Sequence, residues 1–158
     1  MKKFAIEIKW GIIFFAMTLL WTVFEKLIGL HDVNIDMHST ITNFFAIPAV
    51  LIFILALIDK RKKDFNNKMT WLQGFVSGLI VTLVVALLTP FGQILTHKLL
   101  SPHYFENIIA YSVKMGNATQ VEAEGYFNLT SYIYISVMSA LMMGFLTSAV
   151  VAFFVRKN

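Results

Sequence analysis

MTWLQGFVSGLIVTLVVALLTPFGQILTH, residues 69–97, contains no Asp, Glu, Lys or Arg. A helix rising about 1.5 Å per residue needs roughly 20 apolar residues to cover the ~30 Å hydrocarbon core of a bilayer. The stretch therefore reads as a membrane span from about Trp71 to Thr96. Working outward, three more stretches qualify. One covers about 9–30, with its uncharged part ending at Phe24. Another covers about 41–58 and is the shortest. The last covers about 131–155, in a region with no charge between Gly125 and Val155. In lipid a backbone must satisfy its own hydrogen bonds, so these segments are expected to be helices. The expected fold is all-α, a four-transmembrane-helix bundle forming one membrane domain over residues 1–158. A short extracytoplasmic helical hairpin, about 101–128, lies between helices three and four.

Composition points the same way. Apolar residues make up 58% of the chain and charged residues 14%, against about 45–50% and about 25% in soluble domains. A chain of 158 residues cannot bury that excess in a water-facing core, because small domains keep a high ratio of surface to volume. This excludes a soluble enzyme and a nucleic-acid binder, although the net charge is +4 and the pI about 9.4. The absence of Cys excludes disulfides, thiol chemistry and cysteine zinc sites. Lys2 and Lys3 ahead of an apolar run from Trp10 to Phe24 resemble the start of a signal peptide. The following Glu25-Lys26-Leu27-Ile28 has no small-x-small cleavage site, so this segment reads as an uncleaved first span.

Four spans put both termini and the second connection on one side. That side carries Lys2, Lys3, Lys9, Lys60, Arg61, Lys62, Lys63, Lys68, Arg156 and Lys157, ten bases, against three on the other, Lys26, Lys98 and Lys114. The positive-inside rule then predicts that both termini are cytoplasmic. Acids lean the other way: Glu7, Asp59 and Asp64 are inside, and Glu25, Asp32, Asp36, Glu106, Glu122 and Glu124 are outside. The inner side is +7 and the outer side −3, which sums to the net charge of +4. The Asp59–Asp64 run reads as a topogenic loop rather than an anionic-lipid site.

Small residues recur at intervals of four in span three (Gly74, Gly78, Thr82, Ala86) and in span four (Ser136, Ala140, Gly144, Ser148, Ala152). Such stripes let helix backbones approach closely in lipid. The favoured expectation is that Gly74 and Gly78 pack against Ala140, Gly144 and Ser148 within the chain, with a homo-oligomer as the alternative. Pro48 and Pro90 fall inside spans, where each tends to kink its helix. In the outer segment, Ser101-Pro102 reads as a helix N-cap followed by proline at the first position. Gly116-Asn117 reads as the end of that helix, and Thr119 with Glu122 as a capping box for a second one.

All four histidines, His31, His38, His97 and His103, map to the outer side. With Glu25, Asp32, Asp36 and Gln93 they form the candidate polar or ligand site. Glu25 sits about 22 Å up the first helix from Trp10, and carboxylates at that depth are costly unless functional or paired. Histidines with carboxylates suit a proton relay or a divalent metal. His31 and His38 are not in a recognised ligand spacing, however, and a structural polar cap is the favoured expectation, with no metal or cofactor assigned. Catalytic patterns are missing. Span aspartates of the lipoprotein signal peptidase type, a G-x-S-x-G elbow, a Walker loop and a dinucleotide fingerprint do not occur. Small multidrug exporters share four helices and a first-helix glutamate, but Glu25 is not mid-span.

Several strings are familiar together: EIKWG at 7–11, EKLIGLHD at 25–32, FAIP at 45–48, LIDKRK at 57–62 and KMTWLQGF at 68–75. SPHYFEN at 101–107 and EAEGYFNL at 122–129 join them. Over nearly its whole length the chain resembles a family of small integral membrane proteins of Bacteroidota-type bacteria, domain of unknown function four-one-nine-nine. The resemblance implies a bacterial inner-membrane protein of about this size and implies no activity, substrate or catalytic residue. The leading functional expectation is a non-catalytic accessory or interaction subunit in the lipid bilayer, whose outer cap meets a membrane or periplasmic partner. The alternatives are a transporter or proton-coupled permease subunit using Glu25 with the outer histidines, and an extracytoplasmic metal-responsive site.

Overall fold

A computed structural model describes residues 4–157. Lys2 and Lys3, counted above on the basic side, lie outside the described residues. The fold is an all-α membrane bundle. Four helical segments are long and apolar enough to cross a bilayer: Ala5–Leu27, Ile35–Asp64, Trp71–Leu100 and Leu129–Val155. Helix α1 is Ala5–Leu27; α2, His38–Thr42, and α3, Ala46–Asp64, make the second crossing; α4 is Trp71–Leu95. The short helices α5, Tyr104–Lys114, and α6, Gln120–Tyr126, form the hairpin, and α7 is Leu129–Val155. The start of α1, the end of α7 and the α3–α4 turn share one end, here the basic end. The α1–α2 turn and the hairpin share the other, here the histidine end.

Span boundaries differ from expectation where local chemistry overrides hydropathy. Helix α1 stops at Leu27 rather than near residue 30 because Gly29, at φ +79°, closes it. Leu30 N donates to Glu25 O at 2.9 Å and Gly29 N to Lys26 O at 3.0 Å, the paired bonds of a Schellman motif, which glycine adopts without Cβ strain. The second crossing exceeds 41–58 at both ends. Pro48 lies in the first turn of α3, not mid-span. Its ring would clash with the carbonyl four residues back in a regular helix, and a 3₁₀ turn, Asn43–Phe45, occupies that place.

The Asp59–Asp64 run is not a loop. It forms the last turns of α3, and Lys60 is only 6% exposed. Lys60 Nζ lies 2.8 Å from Glu7 Oε1 and 2.6 Å from Asp64 Oδ2. Glu7 is 1% exposed, and Ser77 Oγ donates to the same Oε1 at 2.9 Å. Asp59 accepts from Lys9, from Trp10 Nε1 at 2.9 Å and from Lys63 at 2.9 Å. Arg61 donates to Val155 O at 2.6 Å, placing a cation at the C-terminal end of α7, where the helix dipole favours one. Met69 and Lys157 exchange backbone bonds of 2.7 and 2.9 Å, tying the end of α7 to the entry of α4.

The small-residue stripes of α4 and α7 face each other. A Cβ on Gly78 would lie 2.5 Å from Ser148 Oγ, one on Gly144 would lie 2.4 Å from Thr82 Oγ1, and one on Gly74 would lie 3.2 Å from Ala152 Cβ. Ala140 packs against the buried cluster that includes Phe53, Leu57, Val81, Val85 and Val151. The glycine faces of α4 are thus occupied within the chain. Large apolar side chains such as Leu20, Leu87, Met142 and Phe154 point outward, where lipid would meet them.

Two consequences follow for stability. Gly144→Val drives methyl groups into Thr82 and should lower stability by about 1–3 kcal/mol, the usual cost of overpacking. Gly125→Ala, with nothing within 4 Å of the added atom, should leave it unchanged; denaturation in mixed micelles reads both. Lys60→Met strands a buried carboxylate and should cost about 3–5 kcal/mol. The Glu7→Gln, Lys60→Met double variant should recover part of that loss in the same assay.

Candidate functional site

The site is built at the histidine end, beginning with Glu25 in the last turns of α1. Glu25 is 5% exposed. Trp21, one turn earlier, donates Nε1–H to Glu25 Oε1 at 2.8 Å. Thr42, at the end of α2, donates its hydroxyl to the same oxygen. Two donors therefore fix Oε1 and leave Oε2 turned toward His31, whose Nε2 lies 3.7 Å away.

His31 follows the Gly29 turn directly and is 6% exposed. Its Nδ1 is 2.6 Å from Ser101 Oγ, and its carbonyl accepts from Asn107 Nδ2 at 2.9 Å. Ser101 is thus not the N-cap of α5; His103 occupies that position. A local capping signal lost to a tertiary partner. His38 opens α2, and its ring centroid lies 5.6 Å from that of His31. Glu25, His31 and His38 each offer a ligand atom, and these atoms all lie within 4.8 Å of one another.

Tyr104, the first residue of α5, covers the cluster. It is 3% exposed, with ring centroids 5.3 Å from His31, 5.3 Å from His38 and 5.2 Å from His97. Its hydroxyl meets that of Tyr132 at 3.2 Å. Burial, reinforced by Tyr132, pushes the Tyr104 phenol well above its ordinary value, so it remains neutral. His97 contacts the Tyr104 ring as well and stacks on Phe105 at 4.2 Å. His97 Nε2 bonds Gln93 Oε1 at 3.1 Å, and Gln93 Nε2 donates to Ser136 Oγ at 3.0 Å. His97 Nδ1 is buried with no hydrogen-bond partner among the described residues. Below Gln93 a cavity of about 50 Å³, walled partly by Thr18, Thr22, Thr89 and Thr96, lies between α1 and α4.

The eight candidates therefore separate. Glu25, His31 and His38 converge, His97 adjoins them across Tyr104, and Gln93 stands behind His97. Asp32 is exposed and accepts from Val33 N. Asp36 is exposed in a 3₁₀ turn, and His103 pairs with Glu106 at 3.0 Å on the exposed start of the hairpin. Sequence reasoning missed Trp21, Thr42, Ser101 and Tyr104 as partners. Trp21 was accessible from its i, i+4 spacing to Glu25; the other three come from elsewhere in the fold. The hairpin itself carries the expected capping box. Thr119 N donates to Glu122 Oε2 at 2.9 Å, and Glu122 N donates to Thr119 Oγ1 at 3.3 Å. The Thr119 backbone bond holds the Glu122 carboxyl below its ordinary range.

A family model for proteins of unknown function, DUF4199, matches residues 9–157. No curated protein and no solved structure matches the chain. The match covers nearly the whole sequence, and the chain belongs to that family.

Proposed function

We propose that this family member is a non-catalytic protein of the bacterial cytoplasmic membrane, serving as an accessory or interaction subunit through its hairpin. The ten-to-three asymmetry of Lys and Arg supports cytoplasmic termini and an outward-facing histidine end. The observation that carries the reading is the hairpin itself. It is clamped to the bundle by buried Tyr104 and Ser101 and by Asn107, and α6 is closed by a full capping box. It nevertheless presents Val121 at 80% exposure, with Met115 and Tyr126 also exposed, flanked by Glu122 and Glu124. Ordering residues costs about 1–2 kcal/mol each in backbone entropy, and a segment serving as a mere connector has no need of that order. A photo-crosslinking residue at Val121, activated in native membranes, should give one discrete heteromeric adduct that the same residue at lipid-facing Leu87 does not. Adducts of monomer mass alone would remove the basis of this reading.

A second reading, a proton-coupled permease subunit, is favoured by one feature. Glu25 is buried rather than turned to solvent, and Gln93, the partner of His97, lines the threonine-walled cavity, which has room for about one or two waters. Reconstituted in vesicles with an entrapped pH dye, the protein should then pass protons faster than its Glu25→Gln variant. Equal leak rates would dismiss it.

A further inference from the structure

We infer that Glu25, His31 and His38 form a binding site for a divalent transition metal of the zinc class. Zinc bonds imidazole nitrogen and carboxylate oxygen at about 2.0–2.2 Å, so two ligand atoms of a tetrahedral site stand about 3.3–3.5 Å apart. Glu25 Oε2 and His31 Nε2 are at 3.7 Å, close to that spacing with no ion between them. All three ligand atoms lie within 4.8 Å of one another. Closing the set takes about 1 Å of side-chain movement, and His38 is the least buried of the three.

The surroundings favour a ligand site over a simple ion pair. Metal-binding histidines characteristically engage their second ring nitrogen in a hydrogen bond that fixes tautomer and orientation. Ser101 Oγ does this for His31 at Nδ1, 2.6 Å away, leaving Nε2 for the metal. The Glu25 carboxylate is oriented in the same way, with Trp21 and Thr42 both bonded to Oε1 and Oε2 left toward His31. Tyr104, buried, packs against both imidazoles and shields the set from bulk water. Two imidazoles and one carboxylate are a donor set for Zn²⁺, or for Cu²⁺, Ni²⁺ and Co²⁺ in competition; Ca²⁺ and Mg²⁺ demand oxygen. Three protein ligands leave a fourth position for water or a partner's group. The acids of this end outnumber its bases by six to three, which raises the local cation concentration. The inference does not depend on the hairpin having a partner.

The test uses the full chain in detergent micelles, with any polyhistidine tag removed and metals stripped by chelator. Titration with Co²⁺ should give one equivalent of bound ion, with the intense visible bands of a four-coordinate site, bleached by one equivalent of Zn²⁺. Glu25→Gln, which can keep its bonds to Trp21 and Thr42, and His38→Ala, at the least buried ligand, should each weaken binding at least tenfold. His103→Ala should bind like wild type. Zinc should also raise the thermal midpoint of the wild type, and raise that of His38→Ala less at the same concentration, because a ligand of the native state alone stabilises it by mass action. A cobalt spectrum without four-coordinate bands in the wild type overturns the inference. So does wild-type affinity in both ligand variants.

Discussion

A bilayer core offers no partner to a polar group, so a buried carboxylate must find its compensating groups inside the protein. That constraint orders this structure more than any apolar pattern does. Helix α1 carries two buried carboxylates, Glu7 and Glu25, about 27 Å apart along the axis at 1.5 Å per residue. Around Glu7 stand Lys60 and Ser77; around Glu25 stand Trp21, Thr42 and His31. Between these ends the helices need only approach closely, and glycine and serine on α4 and α7 allow it. The large apolar side chains are then free to face outward.

The two ends solve the problem differently, and magnitudes say why that matters. An interhelical hydrogen bond in a membrane protein averages about 0.6 kcal/mol, whereas an ion withdrawn from water loses several kcal/mol. The Ser77 hydroxyl cannot compensate the Glu7 carboxylate by itself; the ammonium of Lys60, 2.8 Å from Oε1, can. At the histidine end the nearest basic partner of Glu25 is an imidazole, cationic only when protonated. The basic end therefore carries its own counter-charge. Among the described residues, the bonded partners of Glu25 include no Lys or Arg, only Trp21, Thr42 and His31.

What could be read from the sequence was local or periodic. The four spans were legible because about 20 uncharged residues have few other uses. The stripes of α4 and α7 were legible because a four-residue interval marks one helix face, and the Thr119–Glu122 box because its bonds are made within one turn. The failures were tertiary. Counting charges along Asp59–Asp64 cannot reveal that Lys60 turns inward to Glu7, a partner on another helix. Ser101-Pro102 carries a good capping signal, but His31 offered Ser101 a buried partner instead. His31 and His38 stand seven residues apart in the chain, which on one straight helix would put them about two turns apart. They meet because Gly29 ends α1, the chain turns back through one 3₁₀ turn, Ile35–Met37, and α2 starts anew at His38.

The hairpin and the cluster beneath it are physically one unit. Ser101 bonds the His31 side chain, Asn107 bonds its carbonyl, and Tyr104 lies against both cluster imidazoles. All three belong to the hairpin segment, while Glu25, His31 and His38 belong to the first two crossings. An ion that reoriented His31 would act on the groups that seat the hairpin. Linkage makes such coupling reciprocal, so a partner that shifts the hairpin alters the affinity of the cluster by the same factor. A surface for a partner and a buried ligand set need not be rival accounts of this end of the molecule. The bonds from Ser101 and Asn107 to His31 would couple the two.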